Sequence, residues 1–290
     1  MKKSIQNYLQ PYGLLLPALV VMTLSGIIPA GFILFYSVND SFAGNSFYWV
    51  GSQWYKSVLS SPDFWLALLK SLMFSILTLA IQIPLGTYIA LRLPSTGVLS
   101  SAYLVLLAIP LLAPLILVGY LWKVLAMPNV GLLDVAAGLL NLRYDMNNTV
   151  VVWFTLLLMD AWHWTSLVVL LVFSGLRSIP IAYYQAARID GASDWKIFRY
   201  IQLPKLSQVL LIAILLRFMD SFMIYTEAYV VTRGGPGVAT TFLSHEFVQI
   251  ATIQFDLGEG GAIAVIYMSI VALISWYLFR ALVPKEQAKL

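Results

Sequence analysis

Six long apolar segments, separated by polar or Gly/Pro-rich connections, constrain this chain more than any other feature. They span residues 14–38, 64–91, 99–124, 150–176, 206–231 and 262–283. A helix needs roughly 20 apolar residues to cross the hydrocarbon core of a bilayer. With no water at that depth, each segment must also satisfy its own backbone hydrogen bonds. The sequence therefore predicts an all-α polytopic membrane protein with six transmembrane helices.

Composition excludes a water-soluble globule. The 290 residues are 60% hydrophobic and only 10% charged, whereas soluble domains carry about 25% charged residues. The chain has no cysteine, which excludes disulfides, thiolate metal sites and cysteine nucleophiles. We expect one transmembrane domain over residues 14–283, between short cytoplasmic tails at 1–13 and 284–290.

The distribution of Lys and Arg predicts the orientation, because cytoplasmic loops carry an excess of these residues. With the N-terminus inside, eleven basic residues fall on the cytoplasmic side and five on the other, and Arg217 lies within a span. We therefore expect both termini, and the connection between the fourth and fifth spans, to be cytoplasmic. The inner set is Lys2, Lys3, Arg92, Arg177, Arg188, Lys196, Arg199, Lys205, Arg280, Lys285 and Lys289.

The outer connections carry two local signals. The segment GLLDVAAGLL, within residues 129–148, is too short to cross a membrane and predicts a surface helix. The segment RGGPG, from Arg233 to Gly237, predicts a turn.

The connection between the fourth and fifth spans, YQAARIDGASDWKIFRYIQLP, is a polar island of residues 184–204. Pro180 disfavours helical geometry in the residue before it, so the fourth helix should end there. Gly191 permits a left-handed turn, and Ser193 is a suitable cap for a second short helix over residues 193–200. Leu203 and Pro204 should lead into the fifth span. The island therefore predicts a helix–turn–helix on the cytoplasmic face.

The order of residues in this island resembles the EAA loop of permease subunits in bacterial ATP-binding-cassette (ABC) importers. The resemblance implies a type I importer transmembrane domain whose coupling loop, residues 177–205, docks into a separate ATPase. Gln185 stands where the family usually has Glu, so it can form hydrogen bonds but supplies no charge. The implied coupling residues are Gln185, Ala186, Ala187, Asp190, Gly191, Ala192, Phe198, Leu203 and Pro204.

Further motifs resemble the carbohydrate-uptake branch of the binding-protein-dependent transport inner membrane components. They include Asp160-Ala161-Trp162, the run 175–180 and the run 232–237 with its Gly-Gly-Pro turn. This turn resembles the first of the two permeases in maltose-permease-like and glycerol-phosphate-permease-like importers. The resemblance implies a translocation subunit for a sugar, sugar alcohol, glycerol or glycerol phosphate.

The resemblance also implies partners, since such importers pair two different permeases with two ATPase copies and a solute-binding protein. We expect a heterodimer with a second permease, an ATPase homodimer, a periplasmic or lipid-anchored binding protein, and the bacterial inner membrane as location. The chain contains no G-x-x-x-x-G-K-[ST] phosphate loop. We therefore expect no enzymatic activity, cofactor, metal or nucleic acid on this chain, and ATP with Mg on the ATPase.

Polar and aromatic residues within the fourth and fifth spans are the candidates for a solute path. Ionisable groups at membrane depth are costly and default to a functional hypothesis, and sugars bind through hydroxyl partners and aromatic faces. An alternative stays open for Arg217 and Asp220, which can form a structural ion pair. Gln82 and Pro84 predict either a kink or an interhelical hydrogen bond. The candidate path residues are Asp160, Trp162, His163, Asp220, Phe222 and Tyr225.

Two other function classes compete with the importer permease. A self-contained secondary transporter would show internal repeats and broken helices around a central ion site, and the sequence shows no repeat. A membrane-embedded enzyme would need a clustered catalytic set, yet His163 and His245 fall in unrelated segments. The sequence favours the importer permease.

Overall fold

The computed structural model describes residues 15–41 and 46–282, with the side chains of 281 and 282 left aside. The predicted tails, 1–13 and 284–290, lie outside the described residues. In chain order the elements are α1 (Leu15–Ser37), β1 (Asn39–Asp40), β2 (Tyr48–Trp49), α2 (Gln53–Ser60), α3 (Pro62–Arg92), α4 (Val98–Leu112), α5 (Leu115–Leu125), α6 (Leu132–Leu139), α7 (Thr149–Arg177), α8 (Ile181–Ile189), α9 (Asp194–Phe222), α10 (Thr226–Thr232), α11 (Leu243–Val248) and α12 (Leu257–Leu282).

Five of these helices, α1, α3, α7, α9 and α12, are individually long and apolar enough to cross a membrane. The prediction of a mainly helical, multi-span protein is confirmed. The strands β1 and β2 pair antiparallel and form a small hairpin, with Asn39 opposite Trp49.

The predicted third span is broken into two helices, which together are long and apolar enough to form a sixth candidate span. It consists of α4 and α5, whose axes differ by 91°. Ala113 at the break is extended, with ψ 131°, and Pro114 follows it as the N-cap residue of α5. Because proline disfavours helical geometry in the residue before it and lacks an N–H, the helix cannot run through this position.

The predicted fifth span, 206–231, is wrong at both ends. At its outer end α9 stops at Phe222, and α10 forms a separate helix. Tyr225 between them leaves helical geometry, with φ −143° and ψ −66°. The short α10 buries Glu227 and Ala228 and packs closely on α5, where an added Cβ at Gly119 would lie 2.8 Å from Val230. Tertiary packing, without a proline or glycine, accounts for the break.

Both predictions for the outer connections are confirmed. The predicted surface helix is α6. In the predicted turn, Arg233 is left-handed at φ 50°, and Gly234 and Gly237 also have positive φ. The Thr240 hydroxyl closes this turn: it donates to the Gly235 carbonyl at 2.9 Å, and its oxygen lies 2.7 Å from Thr232 Oγ1.

The described residues divide into two compact units, one formed by residues up to Phe64 with Phe247–Ile270, and the other by Trp65–Glu246 with the residues from Val271 onward. In the first unit, the Tyr55 hydroxyl donates to Ser37 Oγ at 2.7 Å. The Trp54 indole donates to the Asn39 carbonyl at 3.2 Å. These bonds fasten α2 and the hairpin to the end of α1.

The second unit has two apolar clusters along α3 and α7. One includes Phe74 and Met159 with side chains from α5 and α10, and the other includes Ala90 and Val168 with Leu206 of α9. At the second cluster α3 and α7 approach closely, since a Cβ added at Gly86 would lie 2.7 Å from the Val168 side chain. Gln82 of α3 and Asp160 of α7 lie along these two helices between the clusters.

Candidate functional site

The turn of the coupling loop has the geometry that the sequence predicts. Gly191 is left-handed at φ 69°. Its N–H donates to the Arg188 carbonyl at 3.1 Å, and the Ala192 N–H donates to the Ala187 carbonyl at 2.9 Å. These bonds satisfy carbonyls at the end of α8, as left-handed C-terminal turns commonly do. The prediction of a left-handed turn at Gly191 is confirmed.

The second helix of the loop is not separate from the fifth span. Ser193 is its N-cap residue, as predicted, although its side chain makes no capping hydrogen bond. From Asp194 the helix continues through a π-helical turn, Phe198–Gln202, and on to Phe222. The predicted boundary at Leu203 and Pro204 is therefore wrong. A proline ring clashes with the carbonyl four residues earlier, and the wider turn before Pro204 relieves that clash.

Most of the polar and small residues predicted for the coupling surface are exposed. Gln185, Ala186, Asp190, Gly191 and Pro204 are exposed. Ala187 differs from them, because it is buried inside this chain at 7% exposure. The others, Ala192, Phe198 and Leu203, are partly buried, and the Phe198 ring lies 5.5 Å from that of Trp195.

Sequence reasoning did not place two large exposed apolar side chains of this loop among the coupling residues. Ile189 is 86% exposed and Trp195 is 69% exposed. Ile189 immediately precedes Asp190 and the Gly191 turn, so it projects beside the residues of the motif. Its position on the outer side of a short amphipathic helix was the signal that could have found it.

A hydrogen-bonded cluster joins α3, α7 and α9 at membrane depth. Arg217 Nε donates to Gln82 Oε1 at 2.6 Å, and Arg217 Nη2 donates to Asp160 Oδ2 at 2.8 Å. Gln82 Nε2 donates in turn to the same carboxylate oxygen at 2.6 Å and to the Asp160 carbonyl at 2.9 Å. All three residues are buried, with Arg217 at 0% exposure. The interhelical hydrogen bond predicted for Gln82 is confirmed.

Arg217 contacts two further side chains. Its Nη1 lies 3.5 Å from Asp220 Oδ2, one turn along α9, and the Asp220 side chain is 45% exposed. Its guanidinium carbon lies 4.7 Å from the centroid of the Trp164 ring. The ion pair between Arg217 and Asp220 is therefore present, as the structural alternative predicts. Asp160 is the closer and more buried partner, which the sequence did not indicate.

His163 lies at the break between α4 and α5. Its ring is buried and packs edge-on against Trp164, with centroids 4.8 Å apart. Its Nδ1 is buried without a hydrogen-bond partner among the described residues.

The remaining candidate path residues lie in different surroundings. Trp162 is 40% exposed, and its ring lies 6.2 Å from that of Trp122 on α5. Phe222 is fully buried and stacks on Phe218 at 5.5 Å. Tyr225 is partly buried and stacks on Tyr229 at 5.4 Å. Trp162 and Asp220 are thus the candidates with accessible side chains, whereas Asp160, His163 and Phe222 lie inside the packing.

The cluster can hold three helices together without leaving a buried charge unpaired. Asp160 has both a guanidinium and an amide as partners, so its burial is compensated. The Asp220 carboxylate lies 3.5 Å from Arg217 Nη1 but is 45% exposed, so it can also accept hydrogen bonds from hydroxyl groups. Among the described residues, no group of three His, Asp or Glu side chains is placed to hold a metal ion.

Comparison with known proteins gives one family match. A family model described as "Binding-protein-dependent transport system inner membrane component" matches residues 82–287. The matched range begins at Gln82 and contains α7, the coupling loop and α9.

Curated relatives extend over most of the chain. The "Trehalose/maltose transport system permease protein MalF" of Thermococcus litoralis is 32% identical over 231 residues, which cover 77% of this chain and 76% of the relative. The "sn-glycerol-3-phosphate transport system permease protein UgpA" of Pectobacterium atrosepticum is 29% identical over 277 residues, which cover 93% and 92%.

A solved structure of a bacterial ABC transporter, described as involved in the import of the acidic polysaccharide alginate, has a similar fold. The superposition has a TM-score of 0.80 at 17% sequence identity and covers 96% of both chains. At this identity the likeness shows the fold alone.

Proposed function

The chain belongs to the family of binding-protein-dependent transport system inner membrane components, and we propose that it moves a carbohydrate or polyol across the bacterial inner membrane by alternating access. The type I importer fold that the sequence predicts is confirmed. The chain is a permease subunit without enzymatic activity of its own. This assignment replaces the alternatives of a secondary transporter and a membrane-embedded enzyme.

The coupling loop is the observation that carries the proposed mechanism. Its left-handed turn at Gly191 leaves open space where a side chain would point, since a Cβ added there meets nothing within 4 Å. Ile189 and Asp190 are exposed beside it. A separate ATPase is the partner that would cover this surface, and its conformational cycle would act on α7 and α9, which flank the loop.

The proposed assembly has the composition implied by the sequence resemblance. It contains this chain, a second permease, an ATPase homodimer that binds ATP and Mg, and an external solute-binding protein. Both termini and the coupling loop face the cytoplasm. The excess of Lys and Arg on that side supports this orientation.

The solute class rests on two observations. The relatives are named for trehalose/maltose and for sn-glycerol-3-phosphate transport, which favours a sugar, sugar alcohol, glycerol or glycerol phosphate. Within the buried cluster Arg217 is already engaged by Asp160, Asp220 and Gln82. A phosphorylated solute would need cations that are free to bind it, so the cluster favours a neutral solute.

Isolation of the intact assembly tests the proposal. The chain, carrying an affinity tag, is purified from its native membrane in mild detergent, and co-purifying proteins are identified by mass spectrometry. We expect a second permease and an ATPase with a phosphate loop, present in two copies per pair of permeases. Recovery of the folded chain without any ATPase would contradict the importer assignment.

The solute is tested separately with the reconstituted complex. Proteoliposomes that contain the complex and its binding protein are given labelled maltose, trehalose, glycerol or sn-glycerol-3-phosphate with ATP inside. We expect ATP-dependent uptake of a neutral solute. Uptake of glycerol phosphate alone would keep the permease assignment and overturn the preference for a neutral solute.

A further inference from the structure

Two adjoining cavities open beside the coupling loop at the cytoplasmic ends of α3, α7 and α9. The first has a volume of about 920 Å³ and the second about 690 Å³. Tyr184, Arg188 and Gln202 line both cavities. Gln202 Nε2 donates to the Tyr184 hydroxyl at 3.5 Å. This hydrogen-bonded pair therefore lies between the first cavity and the second.

The walls of these cavities carry three arginines. Arg92 lines the first cavity, Arg177 the second, and Arg188 both. Arg92 lies over the Tyr88 ring at 5.0 Å and Arg177 over the Phe173 ring at 5.8 Å. Within the described residues, none of the three has a carboxylate at ion-pair distance. Asp194 is an acidic residue in the wall of the first cavity, so the pair of cavities is rich in unpaired positive charge.

The first cavity changes from basic to apolar with depth. Its lining contains Ile83, Pro84 and Leu210, which lie further along the spans, and Arg92 and Arg188, which lie at the end of α3 and on α8. Nine residues separate Ile83 from Arg92 on α3, which corresponds to about 13 Å along a helix. A soluble protein that covers the cytoplasmic face could not fill that depth between membrane helices. A phospholipid could, with acyl chain against the apolar wall and phosphate at the arginines.

We propose that these cavities bind the headgroup phosphate of an anionic phospholipid between Arg92, Arg177 and Arg188. Basic pockets between helices at the cytoplasmic face are suited to such headgroups. Arginine suits the task because its planar guanidinium can bind phosphate in a bidentate manner. The lipid would lie against the part of the cavity wall that α8 and α9 form. It would therefore contact the first helix of the coupling loop, α8.

The test uses the purified importer complex in nanodiscs of phosphatidylcholine. Binding of a fluorescent phosphatidylglycerol is measured by titration, with a fluorescent phosphatidylcholine as the neutral probe. We expect saturable binding of phosphatidylglycerol alone. Each arginine near a membrane surface contributes about fivefold to such binding. Arg92→Gln or Arg188→Gln should therefore weaken binding about fivefold, and the triple variant with Arg177→Gln about 100-fold.

Arg280→Gln is the matched control. Arg280 also lies over an aromatic ring, that of Trp276 at 4.7 Å, near the end of a span, but it lines neither cavity. Its replacement should change binding less than about twofold. Equal losses in Arg280→Gln and Arg92→Gln would show a general surface effect and overturn the site.

Three other results would also overturn the lipid assignment. The first is unchanged phosphatidylglycerol binding in the triple variant. If the triple variant does not assemble, unchanged binding in Arg92→Gln and Arg188→Gln would overturn the assignment instead. Displacement of the lipid by inorganic phosphate would indicate a site for a free anion. Efficient cross-linking of a cysteine at Tyr88 to a partner protein, with no bound phosphatidylglycerol, would indicate that a protein fills the cavity.

Discussion

The guanidinium of Arg217 lies 2.8 Å from the carboxylate of Asp160, and both side chains are almost completely buried. This contact joins α9 to α7 at membrane depth, and Gln82 of α3 hydrogen-bonds both partners. Buried ion pairs add little stability when replaced as a unit, but removal of one partner leaves an uncompensated charge. The pair therefore fixes the arrangement of three helices.

Replacement of either Arg217 or Asp160 alone should lower the stability of the protein more than replacement of both together. Arg217→Met leaves Asp160 without its cation and should destabilise the protein by about 3–5 kcal/mol. The double variant Arg217→Met, Asp160→Leu should recover much of that loss. Thermal unfolding and the yield of assembled complex measure both effects. A wild-type Tm for Arg217→Met alone would contradict the role given to this contact.

Gly191 should tolerate a residue that accepts left-handed geometry but not a bulky one. Its φ is 69°, and an added Cβ meets nothing in this chain. Because Asn is among the residues most often found at positive φ, Gly191→Asn should preserve coupling. Gly191→Trp should insert into the membrane normally yet lose ATPase binding and solute-stimulated ATP hydrolysis, at least about tenfold.

Gly237 offers the matched control for Gly191. It also has a positive φ, 57°, and open space around its Cβ position. Gly237→Trp should assemble with the ATPase as wild type does. Normal transport by Gly191→Trp would refute the assignment of this turn to the ATPase contact.

The orientation can be mapped with cysteine labelling, because the natural chain has no cysteine. A cysteine at Ser193 should react with a membrane-impermeant maleimide only from the cytoplasmic side. A cysteine at Ser46, which precedes β2, should react only from outside. Both serines are exposed. The opposite pattern would invert the topology.

Trp162 and Asp220 should affect transport more than assembly. Both side chains are accessible, unlike that of Phe222. Loss of an aromatic contact is worth about 0.5–1.5 kcal/mol, so Trp162→Ala should reduce uptake by up to about tenfold, and Trp162→Phe should retain most of it. Asp220→Asn should likewise lower uptake in proteoliposomes while the purified complex stays intact.

Phe222→Ala provides the contrast for these path variants. The Phe222 ring is buried against Phe218, so its removal should lower stability and yield. If Trp162→Ala and Asp220→Asn instead prevent assembly as Phe222→Ala does, their role is structural. Normal uptake in both would remove them from the solute path.

Local chemistry allowed much of the fold to be predicted from the sequence. The left-handed turn at Gly191, the N-cap position of Ser193 and the turn at Arg233 each depend on a few neighbouring residues. The spans depend on length and hydropathy, which are also local. Pro110 and Pro114 were visible signals of the broken third span, but hydropathy alone runs across them.

The buried cluster could not be predicted, since its members are far apart in the chain. The hydrogen bond from Arg217 to Gln82 spans 135 residues, and that to Asp160 spans 57. Sequence spacing indicated only the neighbour one turn away, Asp220. The break after Phe222 depends similarly on packing of α10 against α5, which no local residue announces.

Because the axes of α4 and α5 differ by 91°, this pair of helices either crosses the membrane or returns to the same face. Labelling at Ser46 and Ser193 distinguishes these cases, because it shows whether the number of crossings between them is odd or even. The arms have 15 and 11 residues, about 22 and 16 Å at 1.5 Å per residue, so neither alone spans a core of about 30 Å. Between Ser46 and Ser193 the chain passes through α3, this bent pair and α7. If the pair crosses, the number of crossings is odd and the two serines face opposite compartments. If the pair returns to its starting face, the number of crossings is even and the two serines face the same compartment. This holds whichever way the whole chain is inserted.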